Sequence, residues 1–328
     1  MKEIINRSND PYFNLALEEY AVMNLPDLKS CFILWQNRPA VIVGRNQNTI
    51  DEINQAYVTR QGITVVRRMS GGGAVYHDPG NLNFTFVLED NHGFGDFVRF
   101  TRPVIKALQR LGIEAENNGR NDITIAGRKF SGNAQFKYRN RLMHHGTILF
   151  ATDIEAMVEA LNPGAEKISS KGIKSVRSRV TNISEHLSAP VGIEEFKQIL
   201  REEVFRSEDN EGAYQLTGPE RQAAEALRDG KYAAWHWNYG ASPPYNIRRT
   251  RIFPWGSLDL RLEVKRGAIT GCRIYGDYFS GRDMAELEAA LIGLNHREEE
   301  IRARLEDIDL SSFLPQAEKQ ELIELFCR

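Results

Sequence analysis

Apolar positions in this chain fall into short runs, some with a strand's period and some with a helix's, separated by turns rich in glycine, proline and asparagine. Asp10 and Pro11 suit the cap and first position of a helix. The run FNLALEEYAVM that follows predicts a helix burying Phe13, Leu17 and Tyr20, with Ala16 and Ala21 beside them. Residues 31–36 (CFILWQ) and 40–44 (AVIVG) read as strands joined through Asn37-Arg38-Pro39 as a hairpin. A short helix is predicted over 52–60, then strands at 63–68 and 74–77 on either side of Gly71-Gly72-Gly73. Asp78-Pro79-Gly80-Asn81 is strong turn chemistry, and 83–88 returns as a strand. Val104, Ile105, Leu108 and Leu111 have helical spacing ended by Gly112, with Pro103 in the first turn or at a kink. Short strands follow at 113–116, 123–126, 130–136 and 143–150, and helices at 153–161, 194–205 and 219–227.

The pattern changes near residue 240. Ala241-Ser242-Pro243-Pro244 is a linker-like break. Beyond it 258–264 (LDLRLEV) alternates, Lys265-Arg266-Gly267 turns, 269–275 returns, and helices are predicted at 284–294, 298–305 and 316–326. The chain thus reads as α+β. A large domain over 1–245 has a mixed, mostly antiparallel sheet with flanking helices, and a small α+β domain occupies 246–328.

Composition narrows the function classes. The 328 residues are 41% hydrophobic and 26% charged, ordinary for a globular protein. A formal net charge of −2 argues against a general nucleic-acid binder, though a local basic pocket is compatible with it. Cys31, Cys272 and Cys327 are neither a metal pair nor a disulfide framework. The N-terminus MKEIINRSNDPYF lacks a signal-peptide core, and no apolar run approaches the roughly 20 residues of a membrane helix. No membrane association and a reducing, cytoplasmic location are therefore expected.

Familiar signatures are missing: no G-x-x-x-x-G-K-[ST], no G-x-G-x-x-G after a strand, no H-E-x-x-H, no C-x-x-C and no G-x-S-x-G. Four polar clusters remain. The first is Arg67 to Asp78 (RRMSGGGAVYHD), in which glycines without a Cβ let backbone amides approach a ligand and arginines beside exposed amides make an anion site. The second runs from Gly119-Arg120-Asn121-Asp122 through Gly127-Arg128-Lys129 to Ser131-Gly132-Asn133-Ala134, where small residues leave room beside Lys129. The third is His144-His145-Gly146-Thr147, whose neighbouring histidines point to opposite faces of a strand. The fourth, 171–182 (KGIKSVRSRVTN), is either a solvated basic loop or a lid over an anion. Taken singly, each has a plain structural reading: a hairpin loop, an edge lysine, a hydrogen-bonded core histidine, a solvated loop.

In order and together they resemble the lipoate–protein ligase A family, of the two-domain bacterial type. DPYFNLALEEY at 10–20, VIVGRNQN at 41–48, RRMSGGGAVYHDPGN at 67–81, GRNDI at 119–123, GRKFSGNA at 127–134, HHGTILF at 144–150, KGIKSVRSRVTNI at 171–183 and WHWNYG at 235–240 carry the match over nearly the whole chain. The resemblance implies a biotin/lipoate-ligase-like fold for the large domain. It implies ATP-dependent formation of lipoyl-AMP, then transfer of the lipoyl group to a lysine of apo lipoyl carrier domains or the glycine-cleavage H protein. On it, Lys129 bridges the lipoate carboxylate and the α-phosphate, and Arg68 holds ATP phosphate. Backbone at Gly73, Ala74, Val75 and Tyr76 lines the nucleotide, while Gly72 and His145 join Lys129 around lipoate (or octanoate). Asn121 and Asp122 are candidates for magnesium, loop 171–179 for a segment over the adenylate, and the protein is expected to be a monomer. Arg67 stands open between ligand and salt bridge. An octanoyl or lipoyl transferase using a cysteine thiolate is disfavoured because no cysteine lies in a matching cluster. The GRGR-type loop of biotin ligases is absent, since 44–47 reads GRNQ.

Overall fold

The computed structural model describes residues 1–25, 28–89, 94–118, 121–161, 178–207, 211–239, 246–265 and 267–327. In chain order its strands are β1 (Lys2–Ile4), β2 (Ser30–Trp35), β3 (Ala40–Val43), β4 (Thr64–Arg67), β5 (Val75–His77), β6 (Asn81–Glu89), β7 (Glu116–Asn118), β8 (Asp122–Ile125), β9 (Arg128–Tyr138), β10 (Arg141–Leu149), β11 (Ala213–Tyr214), β12 (Ile247–Phe253), β13 (Gly256–Lys265) and β14 (Ala268–Gly276). Eight of them form one sheet in the order β11-β1-β2-β6-β10-β9-β8-β7. Only β1 runs parallel to its neighbours β2 and β11; the remaining pairs are antiparallel.

Strand alternation divides this sheet into two unlike faces. One carries Phe84 and Phe86 of β6 with Leu142 and Ile148 of β10, packed on Phe100, Val104 and Leu108 of helix Val98–Arg110 and on Phe196 and Leu200 of helix Ile193–Ser207. The other carries Ile33, Val87 and Met143 against Leu15, Ala16 and Ala21 of the first helix, Pro11–Asn24. Its partners on that face are polar: Asn83 and Thr85 of β6, and His145 of β10, all buried. Buried polar groups cost free energy unless hydrogen-bonded, and on this face Thr85 and His145 are both bonded to Glu18 of the first helix.

A second sheet, β4-β3-β5, lies over that face. The expected hairpin between β2 and β3 does not form: β2 pairs with β1 and β6, whereas β3 pairs with β4 and β5. Nor do β4 and β5 pair across the glycines; each flanks β3, β4 parallel and β5 antiparallel. The glycine segment is therefore a crossing between the two edges of a three-stranded sheet. The small domain has its own sheet, β12-β13-β14, whose first strand the alternation did not reveal, and a separate apolar core built on Leu258, Leu260, Leu262, Leu287, Leu305 and Phe326.

Local signals held where capping chemistry was involved. Asp10 caps the first helix with its carboxylate on the Tyr12 amide, and Asp153 caps Ile154–Ala160. Tyr20, expected in the core, is only half-buried. The helix expected at 52–60 divides into Thr49–Glu52 and Gln55–Arg60, the second capped by Asn54. Pro103 lies inside helix Val98–Arg110, and 113–116 is mostly not strand, since β7 begins at Glu116. No described helix is long and apolar enough to cross a membrane.

Candidate active site

Between the two sheets is a narrow cavity of about 110 Å³. Its roof comes from Ile42, Arg68 and the glycine segment through Val75, with His77 beyond it. Its floor comes from Trp35, Asn83, Ala134, His145 and Thr147, and Lys129 and Gly132 stand at one end. Across the floor the order β9-β10-β6-β2 separates Lys129's strand from Trp35's by three spacings, roughly 14 Å. Lys129 thus stands toward one side of the floor and Trp35 toward the other, with Leu15, Ile42 and the buried Arg68 completing the wall.

Lys129 reaches the cavity because of a local irregularity. Asp122 opposes Gly132 and Ile123 opposes Ser131, but Thr124 opposes Lys129, so β9 carries one extra residue at Phe130. Unbroken alternation would turn Lys129 to the side of Ser131 and Phe130 to the side of Gly132. The bulge reverses that: Phe130 is buried in the helix-covered core, and Lys129 Nζ lies 3.0 Å from where a Cβ on Gly132 would stand. Lys129 Nζ forms a 2.8 Å ion pair with Asp122 Oδ1, both side chains being partly exposed. Its backbone N–H donates to Arg179 O at 2.8 Å and its carbonyl accepts from Thr181 N–H at 2.9 Å. The segment leaving the basic loop therefore docks on the lysine's own edge. Residues 162–177 themselves lie outside the described residues, so most of the proposed 171–179 lid does too.

The two arginines before the glycines have different tasks. Arg67 is buried and donates to the carbonyls of Gly44, Arg45, Gln47, Trp237 and Asn238 and to Thr49 Oγ1. It binds three chain segments together and is not part of the wall of this cavity; no carboxylate pairs with it among the described residues. Arg68 lines the cavity. It donates to Ser70 Oγ and to the carbonyls of Ile42, Gly71 and Gly73. Burial pushes both guanidinium pKa values down to about 10, still fully cationic at neutral pH.

Arg68 opens a buried chain of hydrogen bonds. Ser70 Oγ accepts from Arg68 Nε at 3.0 Å and meets His145 Nε2 at 2.6 Å. His145 Nδ1 lies 2.9 and 3.1 Å from the Glu18 carboxylate oxygens. Thr85 Oγ1 donates to Glu18 and accepts from Trp35 Nε1. The Glu18 carboxylate can only accept, so His145 donates to it from Nδ1, and in the neutral ring Nε2 accepts from Ser70 Oγ. Both imidazole nitrogens are thereby occupied, so His145 offers the cavity its ring and not a free donor. His144, on the opposite face, bonds to Gln135 and Asn133 and stacks on Phe100; burial holds it well below the ordinary histidine range.

The glycine segment touches the small domain. Gly72 N–H donates to Tyr278 O at 3.1 Å, and Gly72 has φ of +90° with the Phe279 ring 3.3 Å from a hypothetical Cβ. Gly276 N–H donates to Asn46 O at 2.8 Å, and Arg45 pairs with Asp283 at 3.2 Å. Gly44 sits under the loop: a Cβ there would stand 1.9 Å from Gly72 O. Backbone cannot swing aside as a side chain can, so Gly44→Ala displaces the loop. A destabilisation of about 2 kcal/mol and a raised KM for the anionic substrate are expected, measured by thermal unfolding and steady-state kinetics. A variant with unchanged KM and melting would refute the contact.

Residues 10–205 match the model of the lipoyl protein ligase A/B catalytic domain, and residues 242–326 that of the bacterial lipoate protein ligase C-terminus. The chain belongs to the lipoate–protein ligase family. It is 46% identical over 327 residues to lipoate–protein ligase 1 of Staphylococcus aureus, covering 99% of each chain. Plasmodium falciparum LipL1, solved in complex with lipoate, superposes with a TM-score of 0.85 over 99% of both chains at 24% identity, a likeness of fold. A lipoate–protein ligase A bound with ATP superposes with a TM-score of 0.62 at 25% identity, over 73% of this chain and 98% of that one.

Of the residues singled out in this ligase from the sequence, the cavity gathers Arg68, Gly72, Gly73, Ala74, Val75, Asn121, Lys129 and His145. Tyr76 is not among them. Alternation on β5 turns its side chain the other way, into the cluster with Val41, Val58 and Met157, and its backbone pairs with Val41. Asp122 stands just outside, held by Lys129. Asn121 Nδ2 donates to Asn133 O at 2.7 Å, tying it to β9. Glu18, Ser70 and His77 were missed. An acid in the apolar FNLALEEYAVM run was the available signal for Glu18; Ser70 and His77 stood in the motif but had no visible partners.

Proposed function

We propose that the cavity is where this ligase activates its acid and holds the acyl-adenylate, with the acid's carboxylate at Lys129 and its carbon chain running toward Trp35. The observation that carries this is the layout of the cavity: Lys129, placed by a bulge, lies across the floor from Trp35, with Leu15 and Ile42 beside Trp35 in the wall and Arg68 on the roof. A carboxylate attacking an α-phosphate brings two anions together. A fixed cation offsets that repulsion and costs no reorganisation during the reaction. Lys129 serves both oxygens as lipoyl-AMP forms and polarises the acyl carbonyl when the acceptor lysine's amine attacks. Gly73, beside which a Cβ would meet nothing within 4 Å, leaves its backbone open to the nucleotide. Arg68 supports that backbone from behind through the Gly71 and Gly73 carbonyls and adds positive potential toward the phosphates.

Magnesium would be held by Asp122 and Asn121 with phosphate oxygens and water. One carboxylate and one amide oxygen beside a phosphate site suit an ion that keeps most of its water, and no cluster of three acidic, histidine or cysteine ligands occurs among the described residues. Its chemistry would be to neutralise the leaving pyrophosphate. The catalytic body is residues 1–245 and the accessory domain 246–328, acting as a cytoplasmic monomer on apo lipoyl domains and the glycine-cleavage H protein.

The test combines the protein with lipoate, labelled ATP, magnesium and an apo lipoyl domain. Lipoate-dependent pyrophosphate release and carrier modification are expected. A folded sample giving neither would falsify this reading, and modification from supplied lipoyl-AMP alone would reduce the protein to a transferase. No covalent enzyme intermediate is involved. Cys31 and Cys272 are buried, and burial pushes the Cys31 thiol up to about 12, so it is not a thiolate at neutral pH. Replacing all three cysteines by alanine should lower the melting temperature, because Cys31 and Cys272 are buried, yet leave turnover of the folded protein largely intact; a trapped thioester lost in that variant would reverse the assignment.

A further inference from the structure

His77 is 2% exposed and contributes to the cavity wall. Its Nδ1 lies 3.0 Å from Asn37 Nδ2. The direction of that bond is fixed by a chain of amides. Asn14 Nδ2 donates to Asn37 Oδ1 at 2.8 Å, while Asn14 Oδ1 accepts from Asn6 Nδ2 at 2.8 Å. Asn37 must therefore present its NH₂ to His77, and His77 Nδ1 must accept. The proton of the neutral ring is then on Nε2, and Nε2 is a buried donor without a protein partner. Burial, with Arg68 nearby, lowers the His77 pKa to about 3, so the ring stays neutral at every working pH. The neighbouring Trp35, 5.8 Å away between ring centroids with the ring planes at 66°, offers a π system and no lone pair. An unmet buried N–H is costly to leave, and this one belongs to a residue of the cavity wall beside Trp35.

We propose that His77 is a specificity-determining residue whose Nε2–H donates to a ring sulfur of lipoate, so that the site selects a dithiolane over a plain alkyl acid. The proposal rests on the reading that the acid's carboxylate lies at Lys129. With the head there, an eight-carbon acid extends across about two strand spacings of 4.8 Å, and the length of the Lys129 and Trp35 side chains that line the cavity covers the third, which brings its ring to Trp35 and His77. Sulfur is a weak acceptor, so the bond gives a modest preference. An alkyl chain in the same place seals Nε2–H away from water unpaired, and that difference favours lipoate.

Three acids separate sulfur recognition from shape: lipoate, octanoate and 5-cyclopentylpentanoate, which keeps the five-membered ring without sulfur. The wild-type protein should favour lipoate over the cyclopentyl acid by about 10-fold in kcat/KM for pyrophosphate release, the scale of one buried hydrogen bond. In His77→Phe that ratio should collapse toward one, and His77→Gln, which keeps an N–H, should recover part of it. Equal ratios in wild type and His77→Phe overturn the proposal. Nitrogen-15 histidine spectra of the wild-type protein need no variant. His77 should be the Nε2–H tautomer, and its Nε2 proton should shift with lipoate and not with the cyclopentyl acid. The opposite tautomer, or identical shifts with both acids, also overturns it. If no acid elicits pyrophosphate, the ligase reading fails, while the spectra still report whether His77 senses sulfur.

Discussion

Lys129→Ala is expected to abolish lipoate-dependent pyrophosphate release, with a loss on the order of 10²–10³-fold or more in kcat, and to leave the fold intact. The side chain is 39% exposed and its ion-pair partner Asp122 is about as accessible, so little of the core depends on it. On the proposed function, what depends on it is the meeting of two anions in the cavity. Arginine is no substitute: its planar fork is larger than an ammonium and cannot place a single point charge between two oxygens, and Gly132 leaves space only for the slim lysine tip, with Nζ and Cε both about 3 Å from a hypothetical Cβ. Lys129→Arg should therefore remain far below the wild type. Pyrophosphate release under saturating ATP, with thermal unfolding as the control, checks both variants. Near-normal turnover of Lys129→Ala would show that the cavity's cation is not the catalytic one.

The second large effect is on stability. Arg67→Ala is expected to cost about 4 kcal/mol, since several buried carbonyls lose a charged donor and each unsatisfied group costs roughly 1–3 kcal/mol. Five carbonyl oxygens and Thr49 Oγ1 converge on this one guanidinium. They belong to the 44–49 turn and to the Trp235–Asn238 helix, which β4 holds through them. For a domain of this size the shift in melting temperature is roughly 10 °C. Arg67→Lys should recover little of it, because three donors on a flexible stem cannot reach acceptors spread around a plane. Calorimetry or circular dichroism decides the matter. A shift of only a degree or two would mean that water replaces the guanidinium at no cost, which is incompatible with its burial.

These two residues show where sequence reasoning succeeded and where it stopped. RRMSGGGAVYHD with GRKFSGNA was enough to name the family and to single out Lys129, which the fold places on the cavity wall. It was not enough to divide the arginines. Arg67 and Arg68 are neighbours on an extended segment, so their side chains leave on opposite sides. Which side faces ligand depends on which strand lies over which, and β4 turned out to be separated from β5 by β3. The same ignorance of pairing produced the false hairpin at Asn37-Arg38-Pro39. That turn moves the chain from one sheet to another, and Asn37 is spent on His77 and Asn14.

Local determinants were legible in the chain itself. Asp10-Pro11 and Asp153 start helices because a carboxylate can satisfy amides that the helix leaves free, and alternation on β6 and β10 marks two-faced strands. The need for a glycine at 72 is also local, since φ is +90° there. Tertiary structure decided the rest. The bulge at Phe130 aims Lys129 into the cavity, and one extra residue in a strand cannot be seen without its partner strand. Glu18, Ser70 and His145 come from residues as much as 127 positions apart, and the tautomer of His77 is set by a chain of amides that closes only on folding. Hydrogen-bond partners are chosen by proximity in space, which the order of residues does not record.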